Sequence, residues 1–579
     1  MLHCKVRASR VEPTLVNRRE EIRQFNATSD RLWLFLSRGL FVCLGLIILA
    51  TFLDYGLTYD EEVSRWYGRM VLRWYSTFFK DQSALGYYDL HLYGGFFEAI
   101  SQLAVSICRK ILPLDVYETR HLVNALFGFL AVCGAYNLGR HLSGPAAGFF
   151  SGLFLTLTPG FYGHIFNNSK DIPFAALFSL ALFCIFRTYN RLPAVSYRPV
   201  LETGLAIGLA LGVRVGGIIL LGYLALLWIG WLSVQRMTGR YTGRQLLVIG
   251  VRLARPFILI VIVAWAVMLM CWPWAQVAPL KNPYLAMKAT ANFDWPMTVF
   301  FNGRFVPGTE LPRSYLPTWL MISLPEFYFI VLLLGCLVAI QFLIRAKEEP
   351  LRPERLIKIG LLLFTIAFPI VTALILHPTM YDGMRQFLFV LPSLTCLAGI
   401  SLAGFLQLQI NRFIKVGAVM LVMLSIGATV FDMMKLHPYE YVYFNRLFAG
   451  GESSAAQRFE TDYWGMSYKE GVDWINKSYR PNSANPIRVA NCERGFIINH
   501  FFQKTEDLRR RFIVVHPSAS PDIYLAITRW QCHKMIEGKL VHTVQRQGIP
   551  LLYILEVQGR YRPEASMKAA SSDRAVERN

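Results

Sequence analysis

Charge is scarce in this chain. Only 17% of its 579 residues are Asp, Glu, Lys or Arg, while 54% are hydrophobic and mean hydropathy is +0.37. A soluble domain seldom has so little polar material. The chain also lacks a phosphate-binding glycine loop, a zinc-spaced set of Cys and His, and a solenoid repeat, so the corresponding function classes drop out. No cleavable signal peptide is expected, because the basic leader is long and no small-residue cleavage site follows the first apolar run. Of ten cysteines, seven or eight fall in or beside apolar segments and behave as small apolar residues. Cys492 and Cys532 do not, and a disulfide between them is possible.

Long apolar runs are what the chain has instead. Eleven spans are expected, near 38–56, 121–139, 146–164, 172–188, 200–213, 216–234, 256–272, 319–344, 356–376, 387–406 and 416–434. The fifth is short for a full crossing and forms a tight hairpin with the sixth around Arg214. A net charge of +21 would suggest nucleic acid in a soluble protein, but here the basic residues sort by side of the membrane. They fill the leader (Lys5, Arg7, Arg10, Arg18, Arg19, Arg23, Arg31) and alternate loops (Arg187 to Arg198, Arg236 to Arg255, Arg345 to Lys358, Arg412 and Lys415). The amino terminus is therefore expected in the cytoplasm, and an odd number of crossings places the carboxyl terminus outside. The segment Leu92–Cys108, with Glu98 and Gln102, reads as an amphipathic helix at the outer interface within a long first external loop, 57–120.

From about 436 the composition turns polar and aromatic. Runs at 487–490, 522–527 and 550–557 read as strands of one small α/β domain. The expected organisation is a cytoplasmic basic leader (1–37), a transmembrane catalytic domain (38–435), an extracytoplasmic α/β domain (436–560) and a disordered tail (561–579).

This topology gathers the unusual polar residues on the outer face. Asp60, Glu61 and Glu62 open the first external loop, Arg120 precedes the second span, and Lys170 and Asp171 end the third. Arg214 interrupts apolar sequence on both sides, and His377, Tyr381, Asp382 and Arg385 lie between spans nine and ten. Acids rarely sit at hydrocarbon without a job. A carboxylate there can take a proton from a hydroxyl, and Arg and Lys can hold phosphate oxygens, which suits chemistry on an anionic lipid. Plainer readings exist for each: a helix start for Lys170 and Asp171, a headgroup anchor for Arg120, a loop position for His377.

The run Thr119-Arg-His-Leu-Val-Asn-Ala-Leu-Phe-Gly128, followed by Leu138-Gly-Arg-His-Leu-Ser-Gly144 and Leu157-Thr-Pro159, closely resembles protein O-mannosyltransferases and the bacterial aminoarabinose and galacturonosyl transferases. These are membrane glycosyltransferases of the GT-C class, similar to glycosyltransferase family 39. Thr58-Tyr-Asp-Glu-Glu62, Asn168-Ser-Lys-Asp-Ile-Pro-Phe174 and Arg385 with Phe387-Leu-Phe-Val-Leu-Pro392 resemble their loop motifs, and the likeness covers roughly 35–435. His437-Pro-Tyr-Glu-Tyr441 with Asp462-Tyr-Trp-Gly465 looks like a bacterial subset with an outer domain. The resemblance implies a GT-C fold and an inverting transfer of sugar from a polyprenyl phosphate to an acceptor hydroxyl. It implies Asp60 as the base, Glu61 in support and Asp171 orienting the acceptor or helping to hold a divalent ion. Arg120, Lys170 and Arg385 would contact lipid phosphate or sugar, and Tyr381 and His377 join them as donor-binding residues. The chain departs from some relatives at Asp89-Leu-His-Leu-Tyr93, where they place Lys-Pro-Pro.

The expected protein is a multi-pass enzyme of a bacterial inner membrane, with its site and outer domain in the periplasm. Its partners are a lipid-linked donor, a glycan, lipid or protein acceptor, and membrane lipids, without nucleic acid. No metal is obligatory, although Mg²⁺ or Mn²⁺ between Asp60 and Asp171 is possible. The alternatives are a transporter or flippase for a lipid-linked or anionic solute, and a non-catalytic scaffold. Loss of the tail domain is expected to impair acceptor use more than donor binding.

Overall fold

The computed structural model describes residues 13–291, 293, 295, 297–345, 353–479, 485–492 and 495–562, with side chains from residue 30 onward apart from residue 452. The first twelve residues of the leader, and the tail beyond 562 for which disorder is expected, lie outside them. Among the described residues nine helices are long and apolar enough to cross a membrane: Asp30–Thr51, Val116–Ser143, Asp171–Tyr189, Val215–Met237, Gly243–Cys271, Glu326–Arg345, Pro353–Leu376, Arg385–Gln407 and Arg412–Leu436. Their outward faces carry exposed Leu, Ile and Phe, such as Leu424 and Ile344, as lipid contact requires.

Three expected spans differ in form, two of them shortened and one divided. The third is broken into Pro145–Thr156 and Pro159–His164, because Pro159 cannot continue the hydrogen-bond ladder and biases Thr158 to extended backbone. The fifth is the 15-residue helix Tyr197–Leu211, which rises only about 22 Å against roughly 30 Å of hydrocarbon. The eighth is divided at Leu324 into Tyr315–Ser323 and Glu326–Arg345, with Pro325 between them. Both short helices still carry the chain back to one side, since Asp60, Lys170, Arg214 and Arg385 border a single cavity.

Close helix contact holds the centre together. Val116–Ser143 packs against Pro145–Thr156 and Asp171–Tyr189; a Cβ on Gly139 would lie 2.8 Å from the Ala147 carbonyl. The first external loop folds back onto these helices. Helix Phe96–Cys108 buries Phe97, Glu98, Ser101 and Val105 and exposes Leu103 and Ile107, the split face expected of an interfacial helix. Before it, Gly94 abuts the Gly212 carbonyl so closely that any side chain would collide, and its N–H donates to Val213 O at 3.2 Å.

The outer domain is a five-stranded sheet ordered 512–514, 487–491, 523–527, 549–561, 536–546. The first three strands are parallel and the last two form an antiparallel hairpin. Three of the strands match the expected runs, while Phe512–Val514 and Ile536–Arg546 are additions. Helices Tyr468–Ser478 and Phe496–Phe502 supply buried Val472, Ile475, Ile497 and Ile498 to its core. Cys492 and Cys532 are disulfide-bonded.

Candidate active site

A cavity of about 830 Å³ opens where one end of the helical bundle meets the sheet domain. That is the size of a small-ligand site. Asp60, Lys170, Arg214, Tyr381, Asp382 and Arg385 line it from the membrane side; Arg529 and Trp530 line it from the sheet domain.

The three acids of the first loop have separate fates. Thr58 precedes helix Tyr59–Ser76, and Glu61 reaches back to accept the Thr58 N–H at 2.8 Å, a capping arrangement. The other oxygen of Glu61 meets His121 Nε2 at 2.9 Å, so this carboxylate is buried and fixes the helix start to helix Val116–Ser143. Glu62 accepts from Tyr117 Oη, Trp66 Nε1 and Arg65 Nη1. Burial alone would raise its pKa, but hydrogen bonds from Tyr117 and Trp66 and the Arg65 charge outweigh it and hold the value below the usual range. Asp60, between them, faces the cavity with 42% of its side chain exposed.

Opposite Asp60 stand three cations. Arg385 Nη1 lies 3.9 Å from Asp60 Oδ2 and 3.4 Å from Asp171 Oδ2. Its guanidinium is held between the rings of Tyr381 and Trp464, each centroid 5.0 Å away, and Tyr381 in turn stacks on Trp295 at 4.5 Å. Desolvation first, and then Asp382 and Asp60 nearby, push the Tyr381 hydroxyl pKa upward despite Arg385, so it stays a neutral donor. Arg214 pairs with the second oxygen of Asp171, and Lys170 and Arg214 both lie over the Tyr93 ring, at 5.2 and 5.5 Å. Asp171 is buried and saturated by Arg214, Arg385 and the Asn168 amide at 2.9 Å.

Two expected donor ligands are not brought to the cavity wall. Arg120 is buried in an ion pair with Glu98 of the interfacial helix, Nη2 to Oε2 at 2.5 Å, which ties that helix to Val116–Ser143. The His377 ring meets the Leu311 carbonyl at 2.6 Å, an interaction that ties its loop to the segment before helix Tyr315–Ser323. Conversely, Arg214 belongs to the site, and its position between two apolar segments was the signal. Asp382, Trp464 and Arg529 also belong. Trp464 Nε1 and Arg529 Nη2 both donate to Asp382, at 3.2 and 2.6 Å, over separations of 82 and 147 residues that sequence alone does not bridge.

The oxygen set does not fit a divalent ion well. Asp60 and Asp171 have Arg385 between them, and Arg214 holds the remaining oxygen of Asp171. Mg²⁺ would need several oxygens in near-octahedral array. Among the described residues no cluster of three or more His, Cys, Asp and Glu side chains is placed to hold a metal.

Residues 118–265 match the family model described as Dolichyl-phosphate-mannose-protein mannosyltransferase, about a quarter of the chain. That stretch carries Arg120, Lys170, Asp171 and Arg214. Among solved structures, ArnT from Cupriavidus metallidurans in the apo state is similar at 15% identity, over 89% of this chain and 97% of that one, with a TM-score of 0.44. The oligosaccharyltransferase of Archaeoglobus fulgidus in the apo form is similar at 13% identity, over 84% and 65%, with a TM-score of 0.46. The arabinofuranosyltransferase AftD from Mycobacteria is similar at 11% identity, over 90% and 40%, with a TM-score of 0.40. Among curated proteins none matches the chain by sequence. Of the cavity's cations, Lys170 and Arg214 lie within the family match, while Arg385 lies outside it.

Proposed function

We propose that the protein transfers a sugar, with inversion, from a polyprenyl phosphate to an acceptor hydroxyl on the outer face of a membrane. One observation carries this reading: a half-exposed carboxylate, Asp60, shares a single cavity with Lys170, Arg214 and Arg385. The acceptor hydroxyl gives its proton to Asp60 as its oxygen attacks the anomeric carbon. The bond from that carbon to the phosphate oxygen breaks, and polyprenyl phosphate departs with the electron pair. Its added negative charge meets the three cations, which are held in place before the reaction and so need no reorganisation. Asp171 does not touch the acceptor in this scheme; it holds Arg214 and Arg385 apart and oriented. Glu61 supports Asp60 by fixing the helix start on which it rides. The ArnT structure bound to undecaprenyl phosphate and the Archaeoglobus fulgidus AglB structure with dolichol-phosphate are consistent with such a donor. No feature of the site favours a transporter: its charges converge at helix ends under a covering domain. The disulfide suits a periplasm.

Purified protein incubated with radiolabelled polyprenyl-phosphate sugars and envelope glycan, lipid or protein acceptors should release lipid phosphate. Asp60→Asn should lower turnover by about 10²- to 10⁴-fold, the usual worth of a positioned base. Transfer by Asp60→Asn at the wild-type rate would remove Asp60 from its role.

A further inference from the structure

Arg529 belongs to the sheet domain, in the turn that follows strand Ile523–Ile527, yet its side chain is buried outside that sheet. Nη1 donates to the Tyr463 carbonyl, and Nη2 to Asp382 Oδ1 at 2.6 Å. The other oxygen of Asp382 accepts from Arg385 Nε at 3.0 Å. One carboxylate is therefore shared between a guanidinium of the outer domain and one of the membrane domain. The turn is held firmly: Cys532 is disulfide-bonded to Cys492, and Trp530 and Gln531 both take left-handed backbone at φ of 50° and 53°. Residues persist in that conformation only where their surroundings over-determine it.

The sharing decides what Arg385 can offer the cavity. With Arg385 as its sole cation, Asp382 would cancel most of that guanidinium's charge and draw it away from Asp60 and Asp171. Arg529 takes up one oxygen of Asp382 and relieves that pull.

Resting on the donor reading above, we propose that Arg529 is a positioning residue for donor phosphate, acting through Asp382 on Arg385. The sheet domain then completes the phosphate site as well as bordering the place of an acceptor. Arg529 touches no reacting atom in this scheme.

The test uses the full chain in nanodiscs, with undecaprenyl phosphate as the probe and binding measured by calorimetry. Arg529→Met is expected to weaken binding about tenfold, a typical coupling within a charged network. Arg529→Lys is expected to restore most of it. In an Asp382→Asn background the Arg529→Met loss should largely vanish, which a merely structural role would not produce. Wild-type protein that fails to bind undecaprenyl phosphate would sink the donor reading itself. Wild-type binding with equal binding by Arg529→Met, or an undiminished loss in the Asp382→Asn background, would overturn the role of Arg529 alone. Should Arg529→Met not fold, Asp382→Asn by itself carries the test: with the pull removed, binding should be at least as tight as wild type, and weaker binding there overturns the proposal.

Discussion

Asp60, Glu61 and Glu62 are chemically near-identical neighbours, and their surroundings give them different work. Glu61 is 2% exposed and holds both the Thr58 N–H and His121. Glu61→Gln should therefore act first on stability, costing about 1–3 kcal/mol through impaired hydrogen bonding of buried groups. Asp60→Asn should leave the melting temperature unchanged; equal losses of stability in the two variants would contradict this division. Arg120 gives a second contrast. Breaking its buried pair with Glu98 by Arg120→Met should cost about 3–5 kcal/mol, because a carboxylate is left buried alone. Lys170→Met, at the cavity wall, should weaken donor binding with little effect on melting. Thermal unfolding beside donor titration distinguishes the pairs. Arg385 between Asp60 and Asp171 also predicts full transfer activity in excess chelator. Activity lost there and restored by Mg²⁺ or Mn²⁺ would contradict a site that works with Lys and Arg cations alone.

At the scale of elements, the loop 458–468 joins the sheet domain to the membrane domain through buried acids. Glu460 lies 3.7 Å from Arg529 Nε, and its pKa is raised from 4.5 to about 7, chiefly by burial, with Asp382 adding to the rise and Arg529 opposing it. The folded state thus binds this proton more tightly than the unfolded chain does. Stability from this group is greatest below about pH 4.5, declines as pH rises to about 7 and is level above that, a span of at most about 3 kcal/mol. Glu460→Gln should flatten the decline and melt higher than wild type above pH 7. Parallel melting curves from pH 5 to 8 would show that Glu460 does not titrate in this range. No sequence pattern announces such a residue, because its partners come from distant elements. The long helices were legible, since hydropathy over twenty residues is a local property. The break at Pro159 and the split at Pro325 follow from local proline chemistry that apolar length alone passes over. The hairpin Thr298–Phe301 with Arg304–Pro307 turns on Asn302-Gly303, both at positive φ, a dipeptide signal masked by its apolar flanks. Arg214 and Arg385 were legible as charges where apolar sequence is expected; Arg529 was not, because its own neighbourhood is an ordinary soluble strand and turn.

For the whole molecule, sidedness joins the charge pattern to the cavity. Asp60 and Trp530 border the same space, so the first loop and the sheet domain occupy one side of the membrane whatever the number of crossings. The opposite helix ends carry Arg187, Arg191 and Arg198, then Arg236, Arg240 and Arg244, then Arg412 and Lys415. On the positive-inside bias that basic end is expected in the cytoplasm and the cavity on the outer face, as the proposed function requires. The disulfide in the sheet domain suits the same orientation, since such bonds persist in oxidising compartments. Alkaline phosphatase fused after residue 562 should therefore be active in a bacterial host, and a fusion in the 236–244 loop should be inactive. The two fusions test separate links. An inactive carboxyl-terminal fusion together with an active one at 236–244 would invert the whole molecule and move the chemistry to the cytoplasmic face. Activity at both, or at neither, would place the sheet domain and the basic loop on one side, which the shared cavity and the course of the helices do not permit.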